Sequence, residues 1–166
     1  MLIRKAEKSD LADIMKIYKY AQDFMIKSGN PNQWAHVYPS EELVKSDIES
    51  GVCNVICEGE KVHGVFVLKC GDDPTYKRID DGQWLNNEPY VAIHRVAGDG
   101  EVHGLFRCAS DYAKSCSDNV RIDTHNDNLT MQKLIMKNGY VKCGTIYVAD
   151  GSPRIAYHKN VYALRI

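Results

Sequence analysis

The sequence has no long hydrophobic run and no excess of charge of one sign. No stretch approaches the roughly 18 apolar residues that a membrane-spanning helix needs, so no such helix is expected. Lysine and arginine together number 21, and aspartate and glutamate 22, which gives a formal net charge of −1. This balance argues against a protein dedicated to nucleic acids or membrane surfaces. The N-terminal residues "MLIRKAEKSD" contain no apolar segment of signal-peptide length, and we therefore expect a cytoplasmic protein.

The cysteines lack a regular pattern as well. The chain has six, and their spacing matches neither Cys-x-x-Cys nor a set of zinc-finger ligands. Most of them lie within apolar runs, which predicts reduced, buried thiols, no disulfide framework and no bound metal. The sequence also shows no repeat, low-complexity stretch or linker, and 166 residues suffice for a real core. Residues 1–166 are therefore expected to form a single domain.

Hydrophobic periodicity predicts about seven strands and about four helices, in the order β-α-α-β-β-β-α-β-α-β-β. The strand segments are "LIRKA", "VCNVIC", "VHGVFVLK", "YVAIHRVA", "NVRIDT", "YVKCGTIYV" and "RIAYHK". Ser9, Ser40 and Asp127 stand where three of the helices would be capped. Strands joined by tight turns should be antiparallel, whereas the strand–helix–strand unit over 90–124 should give a parallel pair. The predicted class is α/β or α+β, with one mixed and mostly antiparallel sheet.

A glycine-rich loop joins a buried strand to a helix within residues 94–113, "HRVAGDGEVHGLFRCASDYA". The first N–H groups of a helix have no intrahelical partner, and the helix dipole adds positive potential there. Gly98, Gly100 and Gly104 would let an anion approach these amides closely. We therefore expect a phosphate-binding site at 103–107, with ordinary turn glycines as the alternative. The loop has neither the Lys-Ser/Thr of a P-loop nor the GxGxxG spacing of a dinucleotide-binding fold.

A second segment, residues 121–144, reads "RIDTHNDNLTMQKLIMKNGYVKCG". With the glycine loop, it resembles the GNAT acetyltransferase superfamily. Members of that superfamily carry an (Arg/Gln)-x-x-Gly-x-(Gly/Ala) loop and a segment of the form Asn-x-x-Ala-x-x-Leu-Tyr-x-Lys-x-Gly-Phe. The residues at the positions of the second motif are Asn128, Met131, Leu134, Ile135, Lys137, Gly139 and Tyr140. The segments "HRVA", "IDTHNDN" and "QWAHVYP" are similar to a bacterial-type subgroup, and the order of elements extends the resemblance to nearly the whole chain.

The resemblance implies a single GNAT-like domain, with about seven strands, about four flanking helices and a splayed central parallel pair. It implies acetyl-CoA as co-substrate, held by the loop amides and by a strand end that pairs with the pantetheine arm. The implied cofactor-binding residues are Val96, Ala97, Gly98, His103, Gly104, Leu105, Phe106, Arg107 and Asn128. The implied reaction moves the acetyl group directly to a primary amine of a small molecule or protein, without a metal. Homodimers are common among such proteins, so a homodimer is a further expectation.

Three departures from the family pattern bear on cofactor binding or catalysis. Glu101 stands where Arg or Gln is usual and brings a negative charge to the expected phosphate site. Phe106 stands where Gly or Ala is usual, so its ring must turn away or narrow the site. Ile135 occupies the position where many relatives have a tyrosine that protonates the departing thiolate, and isoleucine cannot donate a proton. Tyr147, on a neighbouring strand, is a candidate replacement acid, with strand packing as the alternative.

Two aromatic residues, Trp34 and Tyr38, lie in the segment "NPNQWAHVYP", which follows the end of the first helix. They are candidates for lining the pocket of the amine acceptor. The alternative is a hydrophobic plug between the first two helices.

His94 is the first candidate for the base that removes a proton from the acceptor ammonium. An unperturbed histidine titrates near neutrality. Strand alternation would place His94 on the same face as Val96, at the strand end expected to hold the cofactor. A core histidine bonded to the backbone is the alternative, and Glu88, Tyr90 or a water relay are weaker candidates for the base. Two other functions stay open: a CoA-binding sensor or regulatory module without turnover, and an unrelated phosphate-binding α/β domain.

Overall fold

The chain forms one sheet with helices packed on its faces in a computed structural model that describes residues 1–34 and 37–161. The strands are β1 (Leu2–Lys5), β2 (Cys53–Glu58), β3 (Lys61–Cys70), β4 (Val91–Gly98), β5 (Asn119–Thr124), β6 (Val141–Tyr147) and β7 (Pro153–Asn160). The helices are α1 (Leu11–Lys27), α2 (Glu41–Glu49), α3 (Leu105–Cys116) and α4 (Leu129–Lys137). Each predicted strand and helix is present, and the order along the chain is the predicted one.

The sheet has the strand order β1-β2-β3-β4-β5-β7-β6. All neighbouring strands are antiparallel except β4 and β5, which are parallel. The predicted fold class, a mixed and mostly antiparallel sheet with one parallel pair, is confirmed. The parallel pairing is short, since it joins only residues 91–93 of β4 to residues 120–122 of β5.

Two of the three predicted helix caps are wrong. α1 follows Asp10 rather than Ser9, because residues 8–10 form a separate 3₁₀ turn. The Asp10 carboxylate accepts hydrogen bonds from both terminal nitrogens of Arg4, at 2.7 and 2.8 Å, and from the Glu7 N–H at the start of the 3₁₀ turn, but it makes no capping bond to α1. α4 is capped by Asn128 rather than Asp127, since the Asn128 Oδ1 accepts from the Met131 N–H. Ser40 caps α2 as predicted, through a bond from the Leu43 N–H.

Apolar side chains fill both faces of the sheet, as the strand periodicity predicts. One cluster joins the sheet to α3 and α4, and a second joins it to α1 and α2. A third lies beneath the loop over 71–90 and includes Tyr76, Ala92 and Ile146. The six cysteines, all in the described part of the chain, are free thiols, and three of them are buried. None of the helices within residues 1–34 and 37–161 is long and apolar enough to cross a membrane.

The loop over 71–90 is packed against the sheet rather than free in solvent. The guanidinium of Arg121, on β5, lies 4.1 Å from the ring centre of Trp84 and 3.9 Å from that of Tyr90. The Trp84 indole N–H donates to the carbonyl of Tyr76 at 3.0 Å. Burial lowers the pKa of Arg121, and the two ring faces offset part of that cost. The stacking of Arg121 on the Trp84 and Tyr90 rings fixes the loop beside β4, the strand that carries the candidate base.

His158 makes stability depend on pH. It is fully buried on β7, and burial lowers its pKa from 6.5 to about 4, with a smaller effect from the nearby charge of Arg121. Its Nδ1 accepts from the Leu85 N–H, as a neutral ring can. Between these two pKa values only the unfolded chain binds the proton, so folding stability falls as the pH falls from 6.5 towards 4. The loss attributable to His158 is about 3 kcal/mol at most.

Urea unfolding between pH 7.5 and 4.5 tests this effect. We expect His158→Gln to be less stable than the wild type at neutral pH and to lose less stability on acidification, because it has no proton to gain. His103→Gln is the matched control, since His103 is exposed, and it should keep the wild-type slope. Equal slopes for His158→Gln and the wild type would show that His158 protonates freely in the folded protein.

Candidate active site

β4 and β5 separate in the middle of the sheet. Their pairing ends at Ile93 and Ile122, although β4 continues to Gly98 and β5 to Thr124. From His94 onward, the side of β4 that faces β5 has no strand partner. The predicted cofactor residues Val96, Ala97 and Gly98 lie on this part of β4. The split therefore leaves a strand edge at which an extended amide-bearing ligand could add itself.

A β-bulge interrupts β4 at the same place. Val67 pairs with His94 and Val65 with Ala97, so the single residue between them on β3 faces two on β4. Arg95 adopts a positive φ of 51°, which is rare for a side chain with a Cβ. Val96 packs against the cluster on the α3 side, whereas His94 faces Tyr76 on the opposite side. The expectation that His94 and Val96 share a face is wrong, because the bulge breaks the alternation.

Arg95 is anchored on both its backbone and its side chain. Its Nη2 donates to the Asp47 Oδ2 at 2.5 Å, and its Nη1 donates to the Tyr38 hydroxyl at 3.1 Å. Its carbonyl accepts from the Tyr18 hydroxyl at 3.1 Å. The Arg95 and Asp47 side chains are both almost fully buried, at 8% and 7% exposed, so the pair is poorly screened and holds the bulge firmly.

The two predicted acceptor-pocket residues lie beside this bulge. Trp34 packs edge-on against Tyr18, with ring centres 5.6 Å apart, and against Tyr38 at 6.2 Å. Trp34 also contacts the cluster between the sheet, α1 and α2, and Tyr38 is partly exposed and bonded to Arg95. The structure thus brings Trp34 and Tyr38 together next to the split strands, and it also gives Trp34 the packing role that was the alternative.

The loop between β4 and α3 presents backbone amides. Gly104 precedes α3 with a φ of 83°, and no side chain caps the helix. A Cβ at Gly104 would meet only the Met1 Cε, at 3.8 Å, so the space in front of the helix is open. The first helical bond runs from the Cys108 N–H to the Gly104 carbonyl, which leaves the N–H groups of 105–107 without an intrahelical acceptor. These groups can bind an anion.

Glu101, the unfavourable charge at this loop, is neutralised. Its carboxylate lies 2.5 Å from the Lys61 Nζ on β3. Its backbone N–H donates to Asp99, whose other oxygen lies 2.7 Å from the Nδ1 of His63. Both contacts hold Glu101 towards β3, so its charge is paired there.

Phe106 does not obstruct the loop. Its ring is buried against Tyr140, with centres 6.1 Å apart, and Leu105 is buried beside it. His103 and Arg107 are exposed, and the Arg107 Nε lies 3.6 Å from the Asp111 carboxylate. Phe106 and Leu105 can therefore contribute only backbone N–H groups to an anion, whereas His103 and Arg107 leave positive or protonatable side chains in solvent near the loop.

Asn128 is already engaged at the start of α4. Its Oδ1 caps the helix, and its Nδ2 donates to the Gln33 Oε1 at 2.8 Å. Gln33 reaches Thr124, the last residue of β5, through its own amide at 3.5 Å. Gln33 therefore links the segment after α1 to the end of β5 across the split side of the sheet. Sequence reasoning missed this role of Gln33, although it lies in the "QWAHVYP" segment.

The candidate base His94 faces a carboxylate and an aromatic ring. Its Nε2 lies 2.9 Å from the Asp73 Oδ2, in an ion-pair contact whose direction departs from a straight hydrogen bond. The Tyr76 ring centre lies 5.8 Å from the imidazole, and the Tyr76 hydroxyl donates to Asp123 at 2.7 Å. The Tyr90 hydroxyl accepts a hydrogen bond from the Asp73 N–H at 3.1 Å. His94 is therefore not bonded to the backbone as a core histidine would be.

The structure does not place Tyr147, the candidate replacement for the acid missing at Ile135, next to His94. Ile135 is fully buried in the cluster against α4. Tyr147 is on β6, which is separated from β4 by β5 and β7, about 14 Å at the usual strand spacing. A hydrogen bond with Asp80 raises the pKa of Tyr147, and the Arg78 guanidinium lies 5.1 Å from its ring centre. Tyr147 is therefore not next to His94 in the sheet.

Glu88, a weaker candidate for the base, lies at the other end of β4. It lines a surface hollow with residues 117–119, which lead into the amino end of β5. The split lies towards the carboxyl ends of β4 and β5, so Glu88 does not face it.

A group of three potential metal ligands lies at the glycine loop. The ligand atoms of His63, Asp99 and Glu101 are within 4.8 Å of one another. His63 and Asp99 already pair with each other, and Glu101 pairs with Lys61. The charges of the group are thus satisfied by side chains of the protein.

No known family model matches the chain, and no curated protein matches it at the level of sequence. Solved structures do match. A GNAT-family acetyltransferase from Streptococcus agalactiae 2603 is 29% identical, over 96% of this chain and 94% of its own, with a TM-score of 0.86. A Staphylococcus aureus Mu50 protein assigned as an acetyltransferase is 28% identical, over 97% and 99%, with a TM-score of 0.69. A GNAT-family acetyltransferase from Listeria monocytogenes 4b F2365, 18% identical over 96% and 94%, has a TM-score of 0.68 and shares the fold.

The chain is a single domain with the GNAT fold, and the predicted resemblance to GNAT-family acetyltransferases is confirmed. The fold of these acetyltransferases supports acyl transfer as the general class of reaction. The interpretation as an unrelated phosphate-binding domain is wrong, since the fold matches that of a GNAT-family acetyltransferase over 96% of the chain.

Proposed function

We propose that this protein transfers an acetyl group from acetyl-CoA to a primary amine of a small molecule or protein. One observation carries the proposal: the free edge of β4 after Ile93 leads directly into the uncapped start of α3. A strand edge and a set of free helix amides in line suit a ligand with an amide-bearing arm and a pyrophosphate. The pantetheine arm and pyrophosphate of acetyl-CoA have this combination.

The residues present fit acetyl-CoA. Gly104 leaves open space at the helix start, and the absence of a Cβ at Gly98 lets the Leu105 Cδ1 pack against the end of β4, since a Cβ there would lie 2.4 Å from it. In the proposal, residues 96–98 hold the arm, and the N–H groups of 105–107 hold the pyrophosphate. Bound acetyl-CoA supplies a thioester whose carbonyl carbon an amine can attack. His103 and Arg107 add attraction for the negative charge of the phosphates.

His94 is the proposed base. It takes a proton from the acceptor ammonium, which frees the nitrogen lone pair for attack on the carbonyl carbon. The N–H groups near Val96 and Ala97 are the proposed donors to the developing oxyanion, and one such donor is typically worth about 3 kcal/mol. The carbon–sulfur bond then breaks, and the thiolate takes a proton from solvent. Since a free thiol has a pKa of about 8.5, it is an adequate leaving group without an acid at Ile135.

The burial of Ile135 favours a second candidate function, a CoA-binding module without turnover. In this alternative the protein would bind coenzyme A at the same split strands, but it would release no thiol. The two functions thus share one binding site and differ in chemistry.

An amine panel with thiol detection tests the proposal. We expect acetyl-CoA-dependent release of free thiol with at least one primary amine, because His94 and the split of β4 supply the required groups. Stabilisation by coenzyme A in a thermal melt serves as the control for binding. A melt shift without thiol release across small amines and peptide amines would instead support the binding module, and the absence of both would contradict the proposal.

A further inference from the structure

Asp73 is the acidic neighbour of His94, and it lies in the loop that precedes β4. Its Oδ2 is 2.9 Å from the His94 Nε2, and the two side chains are only 13% and 17% exposed. Charges that are largely removed from solvent are screened less than surface pairs, so this contact acts more strongly on His94 than an exposed pair would.

The Asp73 carboxylate is held in one orientation. Its Oδ1 accepts from the Thr75 N–H at 2.9 Å and from the Thr75 hydroxyl at 2.7 Å. The Asp73 N–H donates to the Tyr90 hydroxyl at 3.1 Å, which fixes the backbone as well. Contact with His94, aided by the Thr75 bonds and opposed by burial, lowers the pKa of Asp73 well below its usual range. An ionised oxygen, Oδ2, therefore points at the imidazole throughout the neutral pH range.

We propose that Asp73 is a positioning residue, whose carboxylate binds the His94 Nε2–H and leaves Nδ1 as the basic atom. This inference rests on the proposed function, in which His94 accepts the acceptor proton. Within residues 1–34 and 37–161, the buried Nε2 has no polar partner other than the Asp73 Oδ2 at 2.9 Å. The proton passes from the ammonium nitrogen to Nδ1, and the imidazolium so formed is stabilised by Asp73 until the proton leaves to solvent.

The other groups around His94 do not take this role. The Tyr76 hydroxyl donates to Asp123, so that carboxylate is engaged with a buried phenol on the β5 side. Tyr90 accepts from the Asp73 backbone and stacks on Arg121. Asp73 is thus the carboxylate that directly contacts the imidazole.

The substitution Asp73→Asn tests the proposal, because asparagine keeps an Oδ1 that can cap Thr75 and loses the charge that faces His94. We expect kcat to fall at least about tenfold, while the KM for acetyl-CoA stays within about twofold. Asp72→Asn is the matched control: the same charge is lost one residue earlier, at an exposed side chain, and the rates should stay at the wild-type level. An unchanged kcat in Asp73→Asn would overturn the proposal.

A double-mutant cycle separates a role through His94 from an independent one. If Asp73 acts through the imidazole, adding Asp73→Asn to His94→Ala should change kcat by less than about twofold. If Asp73→Asn instead lowers the kcat of the His94→Ala variant by the same factor as it lowers that of the wild type, Asp73 acts independently of His94 and the proposal is wrong.

A measurement without turnover distinguishes failure of this inference from failure of the proposed function. In ¹⁵N spectra of the imidazole we expect His94 to carry its proton on Nε2 when neutral, and Asp73→Asn to shift the population towards the other tautomer. If no amine is acetylated, the proposed function is wrong, but the spectra still show whether Asp73 holds the proton of His94 on Nε2. A wild-type imidazole protonated on Nδ1 would overturn the role of Asp73 even in an active enzyme.

Discussion

Gly104→Glu is expected to abolish binding of coenzyme A. The new side chain starts in the open space before α3, where the structure offers only the Met1 Cε as a neighbour. Its carboxylate would face the same helix amides as the pyrophosphate, and two charges about 4 Å apart near a protein surface repel by about 4 kcal/mol. A loss of at least about 100-fold in affinity follows, and calorimetric titration with coenzyme A measures it.

Gly104→Gln is the matched control, because it shares the size of glutamate and the strain of a positive φ at this position. We expect it to bind coenzyme A more tightly than Gly104→Glu, with a gap that narrows at high salt. Equal affinities for the two variants would show that a negative charge at position 104 does not affect the binding of coenzyme A. Wild-type affinity in the glutamate variant would place the cofactor elsewhere.

His94→Ala is expected to lower turnover by about 10²–10⁴-fold at neutral pH, the usual contribution of a general base. Since His94 faces Asp73 and Tyr76 rather than the glycine loop, affinity for coenzyme A should stay within about twofold. Steady-state rates at saturating acetyl-CoA, with calorimetry on the same variant, measure the two effects separately.

Glu88→Gln and Tyr90→Phe are the comparison variants for this prediction. Glu88 lies at the amino end of β4, so its loss should leave turnover unchanged. Tyr90→Phe removes the hydroxyl that accepts a hydrogen bond from the Asp73 N–H and should reduce turnover less than His94→Ala. A wild-type turnover rate in His94→Ala would show that this histidine has only a packing role. A large loss of turnover in Glu88→Gln would contradict the position of the active site at the split between β4 and β5.

The sheet and its parallel pair could be predicted because their signals are local. The period of apolar residues marks each strand and helix, and hairpin or crossover connections determine which strands run antiparallel. Ser40 was predicted correctly as a helix cap because that signal also lies in residues that are adjacent in the sequence. Ser9 and Asp127 were not: Ser9 lies within a 3₁₀ turn that precedes α1, and the folded backbone places Asn128, one residue after Asp127, at the start of α4.

The candidate site was predicted only in part. His94, the glycine loop and the 121–144 segment are contiguous patterns, so the sequence could point to them. Asp73 and Asp47 gave no comparable signal, since each meets its partner, His94 or Arg95, from more than twenty residues away. The bulge at Arg95 also escaped prediction, because residue types alone do not reveal one extra residue in a strand.

The sequence by itself determined the order of elements, the strand that leads into a glycine loop, and the family that these features resemble. Short-range periodicity and the backbone freedom of glycine are enough for that. Only the tertiary structure decided that Glu101 is neutralised by Lys61, that Phe106 turns into the core, and that Asp73 faces His94. Those outcomes depend on contacts between distant segments, and such contacts form only when packing has brought the segments together.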